Sequence, residues 1–235
     1  MISPMKIKFL LLGLTLVAAR LSAQTLATNT YTLTPGTIIP AGNPNGALEQ
    51  FDVSGISGSI ASIQISLNII GGYNGDLYAW LVDPQGQTAI LLNRPGLTSS
   101  DAFGYADAGI NITLDDSGSF ASVHGYGAGS YNVNGNGQVT GTWASDGRNI
   151  DPQSAPGAFD PASVGANLSQ FQGGTANGAW SLYLADVVAG GASPTLTDTT
   201  LTIASSSISS VPEPSTMALA GLGLAAWLRG YWRRR

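Results

Sequence analysis

The fold class of this chain follows from the stretch IQISLNI at residues 63–69, in which apolar and polar residues alternate without a break. Alternation with a period of two is typical of a β-strand that has one buried face and one face toward water. A helix would instead repeat its apolar residues every three or four positions. The sequence therefore predicts a half-buried strand here.

Four further segments extend this pattern through the body of the chain. Residues 77–82 (LYAWLV) end at the turn sequence DPQG, and residues 88–92 return from it. Residues 180–184 (WSLYL) and 200–203 (TLTI) alternate again, and Gly-rich loops separate all of these segments. The prediction is an all-β fold, namely an antiparallel β-sandwich of the jelly-roll type.

A series of short motifs runs along these strands and loops. In order, they are Ile60–Ile69, Gly75-Asp76-Leu77, Leu81–Gly86, Ile112–Asp116, Gly129-Ser130-Tyr131, Leu168–Gly173, Gly178–Leu182, Asp186 and Leu196–Ile203. Together they resemble the P domain (P/Homo B) that follows subtilisin-type proprotein convertases, over residues 48–204. The resemblance implies a P-domain-like sandwich. Two features depart from the family pattern: Asp83 stands where the family has Ser, and residues 132–164 form a longer, Gly/Asn-rich insertion.

Composition narrows the classes of function. The chain has no cysteine, which excludes disulfides, thiolate metal sites and cysteine nucleophiles. Residues 24–210 contain two arginines and no lysine against 13 acidic residues, so the body carries a formal charge of about −11. Nucleic acid is therefore not expected as a partner, because binding it requires basic side chains that neutralise phosphates. We predict one domain over residues 24–204.

Residues 1–23 have the organisation of a secretory signal peptide. Lys6 and Lys8 precede an apolar run of about 11 residues, which is short for a membrane span. We expect a signal helix that engages the secretion machinery and is cleaved between Ala23 and Gln24. The alternative is an N-terminal membrane anchor.

The C-terminal end combines three elements. A Ser-rich segment at residues 205–210 predicts a flexible spacer. The sequence Val211, Pro212, Glu213, Pro214 follows, and its two prolines favour an extended stretch open to a processing enzyme. An apolar segment at residues 217–228 then precedes the arginine-rich end Arg233, Arg234, Arg235. We predict a short transmembrane helix whose arginines stay on the cytoplasmic side.

Residues 211–235, with this order of elements, resemble the PEP-CTERM sorting signal of Gram-negative bacteria that make exopolysaccharide. In that family an exosortase recognises the tail. The resemblance implies that the chain is exported across the inner membrane and held transiently by its C-terminal helix. It then reaches the cell surface or the extracellular space. An ordinary tail anchor would explain the helix and the arginines but not the Pro-Glu-Pro sequence.

The residue inventory argues against catalysis. The only histidine, His124, lies in a Gly-rich segment and is expected to be solvated, and no Gly-x-Ser-x-Gly sequence is present. The resemblance to the P domain therefore implies the accessory module without its protease. Asp115 and Asp116 are adjacent, so on a strand they would point to opposite faces and not act together on one sugar.

Calcium is the cofactor that the acidic residues suggest. Ca²⁺ takes six to eight oxygen ligands from carboxylates and loop carbonyls. The candidate ligands are Asp76, Asp101, Asp107, Asp115 and Asp116. Because no contiguous calcium-loop motif is present, the alternative that these residues only form turns is favoured.

We expect the body to be a non-catalytic interaction module at the cell surface or in the extracellular matrix, with exopolysaccharide or another matrix component as its partner. Tyr126 and Trp143, in Gly-rich segments, are the candidate ligand contacts, whereas Trp80 and Trp180 lie in strands and are expected in the core. The alternative is a secreted, protease-associated or hydrolytic module that acts on extracellular protein or polysaccharide.

Overall fold

The structure, a computed structural model, describes residues 22–210 and 216–233. Residues Thr25–Ser207 form one compact unit. The described residues form eleven strands and one helix: β1 (Ser22–Leu33), β2 (Thr37–Ile38), β3 (Ala47–Val53), β4 (Ser59–Ile70), β5 (Leu77–Val82), β6 (Thr88–Asn93), β7 (Gly109–Asp115), β8 (Asn132–Val133), β9 (Val139–Trp143), β10 (Gly178–Asp186), β11 (Thr195–Ser210) and α1 (Thr216–Trp232). In the described part of the chain, four short 3₁₀ turns lie between these elements, at Asn74–Asp76, Val123–Ala128, Pro156–Ala158 and Leu168–Phe171.

The strands form two sheets, which confirms the prediction of a mostly β fold. The larger sheet has the order β1-β11-β4-β7-β9-β8, with β2 paired to β11, and the smaller has the order β3-β10-β5-β6. The prediction of a purely antiparallel arrangement is wrong at one place. Strands β7 and β9 are parallel, with Ile110 opposite Val139. Parallel strands need a long crossover, and residues 116–138 provide it.

The alternation that predicted β4 is confirmed. Ile63, Ile65, Leu67 and Ile69 are buried, and the polar residues between them are half-buried on the other face. Trp180 of the smaller sheet belongs to the same buried cluster. Its indole Nε1 donates to the Ala176 carbonyl oxygen at 2.8 Å, so its one polar group is satisfied inside the core.

Trp80 does not lie in the core, contrary to expectation. Leu77, Ala79 and Leu81 take the buried positions of β5, so the side chain of Trp80 is directed to the outer face of the smaller sheet. There its ring stacks on that of Tyr183 of the neighbouring strand, with 4.7 Å between ring centroids and 3° between ring planes.

The predicted insertion at residues 132–164 is structured and serves both sheets. It supplies β8 and β9 to the larger sheet. It also covers the free edge of β6, because Asp146 N–H donates to the Leu91 carbonyl at 3.1 Å and Gly147 N–H donates to the Ile90 carbonyl at 3.0 Å. Covering an edge strand protects it from pairing with another chain.

The C-terminal part differs from the sequence-based prediction at the spacer. Residues 205–210 belong to β11, and Ser205 and Ser206 pair with Ile60 and Ser59 of β4. The Ser-rich stretch continues as strand because β4 offers it a partner edge. The predicted apolar helix at 217–228 is found as part of α1.

Helix α1 exposes large apolar side chains, namely Leu222, Leu224, Trp227, Tyr231 and Trp232. Its 17 residues correspond to about 25 Å of helix. Among the residues that the structure describes, no helix is both long and apolar enough to cross a membrane. Three parts of the sequence-based prediction lie outside the described residues. They are the signal segment up to residue 21, the sequence Val211–Pro214, and Arg234 with Arg235. Ala23 and Gln24, the predicted cleavage position, lie in β1.

Two leucines on neighbouring parts of the fold test the packing. Leu67 is fully buried in β4, whereas Leu48 of β3 is 47% exposed. Leu67→Ala should lower the free energy of unfolding by about 2–5 kcal/mol through lost burial and a residual cavity. Leu48→Ala should change it by only about 0.5 kcal/mol. Urea unfolding followed by tryptophan fluorescence measures both; equal losses would contradict this assignment of the core.

Candidate functional site

A cleft of about 380 Å³ opens on the body where three loops meet. One loop is the turn after β4, the second is the loop before β7, and the third follows β10. Three aromatic residues and one carboxylate line it together with small residues: Tyr73, Phe103, Tyr105 and Asp76. A concave surface that combines apolar rings with a few polar groups is the usual form of a ligand site.

The loop before β7 is held by hydrogen bonds between its backbone and two partners, the Asp101 side chain and the turn after β4. The Asp101 carboxylate accepts from the backbone N–H groups of Phe103 and Gly104, at 3.2 and 3.1 Å. The carbonyl of Tyr105 accepts from Gly75 N–H at 2.8 Å, which fastens the loop to the turn after β4. A Cβ atom on Gly75 would lie 2.4 Å from the Phe103 carbonyl oxygen, so this close approach requires glycine.

Asp76, which lines the cleft, has the buried carboxylate of Asp186 nearby. A backbone hydrogen bond joins the segments that carry these two residues, since Val187 N–H donates to the Asp76 carbonyl at 3.0 Å. Burial and the nearby Asp186 carboxylate raise the pKa of Asp76, while Arg94 acts in the opposite direction. Burial likewise raises the pKa of Asp186, against the N–H of Val188 and the charge of Arg94. The ion pair between Arg94 Nη2 and Asp76 Oδ1 is long, at 3.8 Å.

Arg94 has an unusual backbone. Its φ of 50° lies in the left-handed region, and it is the one non-glycine residue with positive φ in the part of the chain that the structure describes. This conformation costs about 1–3 kcal/mol and persists only where neighbours enforce it. Here Arg94 N–H donates to the Leu77 carbonyl at 2.8 Å and its Nε donates to the Gly75 carbonyl at 3.0 Å. The guanidinium is thereby held beside Asp76.

The five predicted calcium ligands are not brought together. Asp76 lines the cleft, Asp101 fastens its own loop, and Asp107 accepts from the hydroxyl groups of Tyr126 and Tyr131 at 2.9 and 3.1 Å. Within residues 22–210 and 216–233, no group of three or more His, Cys, Asp or Glu side chains is placed to hold a metal ion.

The adjacent pair Asp115 and Asp116 point apart, as expected for neighbours at the end of a strand. Asp115 accepts from Gln64 Nε2 at 2.7 Å, on the paired strand β4. Asp116 accepts from the backbone N–H groups of Ser145 and Leu168, at 2.9 and 2.7 Å. These acids serve as hydrogen-bond acceptors for loops, which is the role of Asp in turns.

The predicted ligand contact Tyr126 is wrong, because its side chain is only 1% exposed. Its hydroxyl donates to Asp107 and accepts from Asn74 Nδ2 at 3.0 Å, and burial strongly raises its pKa. The segment is buried because Tyr126 belongs to the hydrophobic core. Trp143 is half-buried and packs against the core, so it too is a poor contact residue.

Phe103 and Tyr73 are instead the exposed aromatic side chains at the cleft, and sequence reasoning missed both. They are 82% and 51% exposed and line the cleft. Both lie in polar, Gly-containing segments between strands, GGYNGD at 71–76 and DAFGYAD at 101–107. An aromatic residue inside such a segment was the available signal, but the sequence does not show that the two segments meet.

His124 is buried, contrary to the expectation of a solvated loop residue. Its Nδ1 lies 2.8 Å from Asp146 Oδ2 and its Nε2 lies 3.1 Å from the Leu97 carbonyl oxygen. Asp146 also accepts from Arg148 Nη1 at 3.1 Å. In a Ser-His-Asp triad, Nε2 would receive the serine proton. Here that nitrogen faces a backbone carbonyl, so the His124–Asp146 pair joins loops.

Comparison with known proteins finds one family. Residues 210–235 match the family described as the PEP-CTERM protein-sorting motif. No curated protein sequence matches the chain.

The solved structures that match this chain include two of one serine protease. They are the serine protease of Aeromonas sobria in complex with its chaperone ORF2, and the same protease alone. The TM-scores are 0.43 and 0.42, with 12% and 13% sequence identity. Each match covers 79% of this chain but only 27% or 28% of the protease chain. The chain thus spans less than a third of those proteins, and a likeness at this level carries no argument about activity.

The coupling between the two carboxylates is testable by titration. Asp186→Asn should lower the pKa of Asp76, because it removes the negative charge that helps to raise it. Carboxyl-carbon NMR shifts measured against pH report the change. Asp52→Asn, on an exposed residue of β3, is the matched control and should leave Asp76 unaltered.

The same shift has a consequence for stability. Since the pKa values of Asp76 and Asp186 are raised above the usual 3.8, the folded chain binds these protons more tightly than the unfolded chain. The contribution of Asp76 and Asp186 to the free energy of unfolding is fully present below pH 3.8. It is lost as the pH rises through the raised pKa values of the folded chain. The loss should be smaller in Asp186→Asn; an Asp76 titration identical to that of the parent chain would contradict the coupling.

Proposed function

We propose that this chain is an exported protein of the cell surface or extracellular matrix, sorted by an exosortase, whose β-rich body is a non-catalytic interaction module. The observation that carries the proposal is the PEP-CTERM match over residues 210–235. Such a motif implies export, anchoring in the membrane before processing, and recognition by an exosortase.

The proposed sequence of events uses both ends of the chain. The segment 1–23 directs the chain to the secretion machinery and is removed. The tail then holds the body on the outer side of the inner membrane, with Arg233–Arg235 on the cytoplasmic side. Exosortase acts at Pro212-Glu213-Pro214, and the body proceeds to the surface. The P-domain-like character of the body, over residues 48–204, is part of this proposal.

Two features of the body support a non-catalytic role. The nitrogen of His124 that would serve as a general base is occupied by a backbone carbonyl. The carboxylates of Asp101, Asp115 and Asp116 accept hydrogen bonds from nearby loops, which accounts for their placement without a reaction.

Replacement of the motif tests the sorting step. A chain with Pro212→Ala, Glu213→Ala and Pro214→Ala keeps the apolar segment and the arginines but loses the extended stretch. We expect it to remain unprocessed in the membrane fraction of a host that has an exosortase, whereas the parent chain is shortened. Immunoblots of fractionated cells measure this. The matched control Ser215→Ala with Thr216→Ala should behave as the parent; processing of the triple variant would refute the proposal.

A turnover screen tests the absence of catalysis. The purified chain should cleave neither a generic peptide library nor a panel of glycosides above the level of buffer. His124→Ala serves as the control for any signal, because a contaminating enzyme would be unaffected by it. Turnover by the parent chain that the His124→Ala chain lacks, while remaining folded by circular dichroism, would establish the hydrolytic alternative.

A further inference from the structure

We propose that the cleft between Tyr73 and Phe103 binds amino-sugar residues of a polysaccharide, with the aromatic rings against the C–H faces of the sugar and Asp76 against its ammonium group. This inference rests on the proposed function, since it names the partner class of the interaction module.

The aromatic side chains of Phe103 and Tyr73, at the edges of the cleft, are exposed to solvent. The side chain of Phe103 is 82% exposed. Its loop is nevertheless held in place, because the backbone N–H groups of Phe103 and Gly104 donate to the Asp101 carboxylate. The hydrogen bonds that hold this loop do not involve the phenyl ring of Phe103. Tyr73, 51% exposed, lines the same cleft. A loop that presents an apolar ring from a hydrogen-bonded backbone lowers the entropic cost of binding, because the backbone of the loop is already ordered.

Charge selects among sugars. The body has a formal charge of about −11, and its two cations are both engaged with carboxylates, Arg94 with Asp76 at 3.8 Å and Arg148 with Asp146 at 3.1 Å. A polysaccharide of uronic acids would meet net repulsion. Beside the cleft, the carboxylates of Asp76 and Asp186 both lie near the guanidinium of Arg94, whose contact with Asp76 is long at 3.8 Å. When both carboxylates are ionised they outnumber this guanidinium by one charge, so a cationic sugar is favoured.

The backbone of the cleft favours a sugar over a peptide. An extended peptide gains affinity by pairing with free N–H and C=O groups of its receptor. Here the N–H groups of Phe103, Gly104 and Tyr105 donate within the protein, and Val188 N–H on the opposite rim donates to Asp186 at 3.2 Å. Hydrogen bonds within the protein thus occupy these four N–H groups, which leaves a peptide fewer backbone partners in the cleft. The side chains of the cleft, two exposed rings and one carboxylate, suit the face and the amine of an amino sugar.

The other aromatic group of the body fits a sugar less well. Tyr78, Trp80 and Tyr183 form a row on the outer face of the smaller sheet. The rings of Trp80 and Tyr183 stack face to face, so each covers one of the two faces that the other could offer to a sugar. This row is a cross-strand contact that stabilises the sheet.

The test is calorimetric titration of the full chain, at about pH 6, where amines are protonated and most carboxylates are ionised. The probes are three tetramers, of β-1,4-linked glucosamine, of N-acetylglucosamine and of galacturonate, together with a tetralysine peptide. We expect the glucosamine tetramer to bind. Phe103→Ala, Tyr73→Ala and Asp76→Asn should each weaken it by about tenfold.

Matched controls use the same substitutions elsewhere. Phe120→Ala removes a phenylalanine that is 41% exposed and does not line the cleft, and Asp52→Asn removes an exposed carboxylate of β3. Both should leave the affinity for the glucosamine tetramer unchanged.

Four results would overturn the proposal. They are no binding of the glucosamine tetramer, equal affinity for the N-acetylated tetramer, unchanged affinity in Phe103→Ala, and equally tight binding of tetralysine through the same residues. The sorting proposal is read separately, from the processing of the tail in cells. Loss of binding with normal processing refutes only the cleft, and failed processing with normal binding refutes only the sorting.

Discussion

The structure depends on the burial of one apolar face of β4. This strand lies between β11 and β7 in the larger sheet, and its four alternate apolar side chains, Ile63 to Ile69, are almost wholly removed from water. Residues of the smaller sheet, with Trp180 the largest, complete the same cluster. Because a shift of one residue would turn all of these side chains outward, the core sets the register of β4 against both neighbours.

The position of the cleft depends on the register of the smaller sheet and on the turn that joins it to β4. The turn after β4 leads directly into β5, and β5 pairs with β10 so that Leu77 lies opposite Asp186. The end of β10 and the turn at residues 74–76 are therefore neighbours, and their carboxylates share one environment. Gly75 then admits the loop that carries Phe103. A packing requirement in the core thus places aromatic and acidic side chains around one opening.

Many acidic residues of the body act as acceptors for loop backbones. Asp116 holds the loops at Ser145 and Leu168, and Asp146 joins His124 to Arg148. In a chain rich in glycine and without cysteine, such bonds order loops that disulfides would otherwise restrain. Asp76 is distinct among them, since it lines the cleft and its pKa is raised by burial and by a second carboxylate nearby.

The sequence by itself determined the strands with strong alternation, the β class and the sorting motif. The periodicity of residues 63–69 and the Pro-Glu-Pro motif are local, so each can be recognised without its surroundings. Only the tertiary structure decided the parallel pairing of β7 with β9, the burial of Tyr126 and His124, and the composition of the cleft. The physical reason is distance along the chain. Asp76, Phe103 and Val188 meet through sheet register, and no local pattern in any of the three segments encodes that meeting.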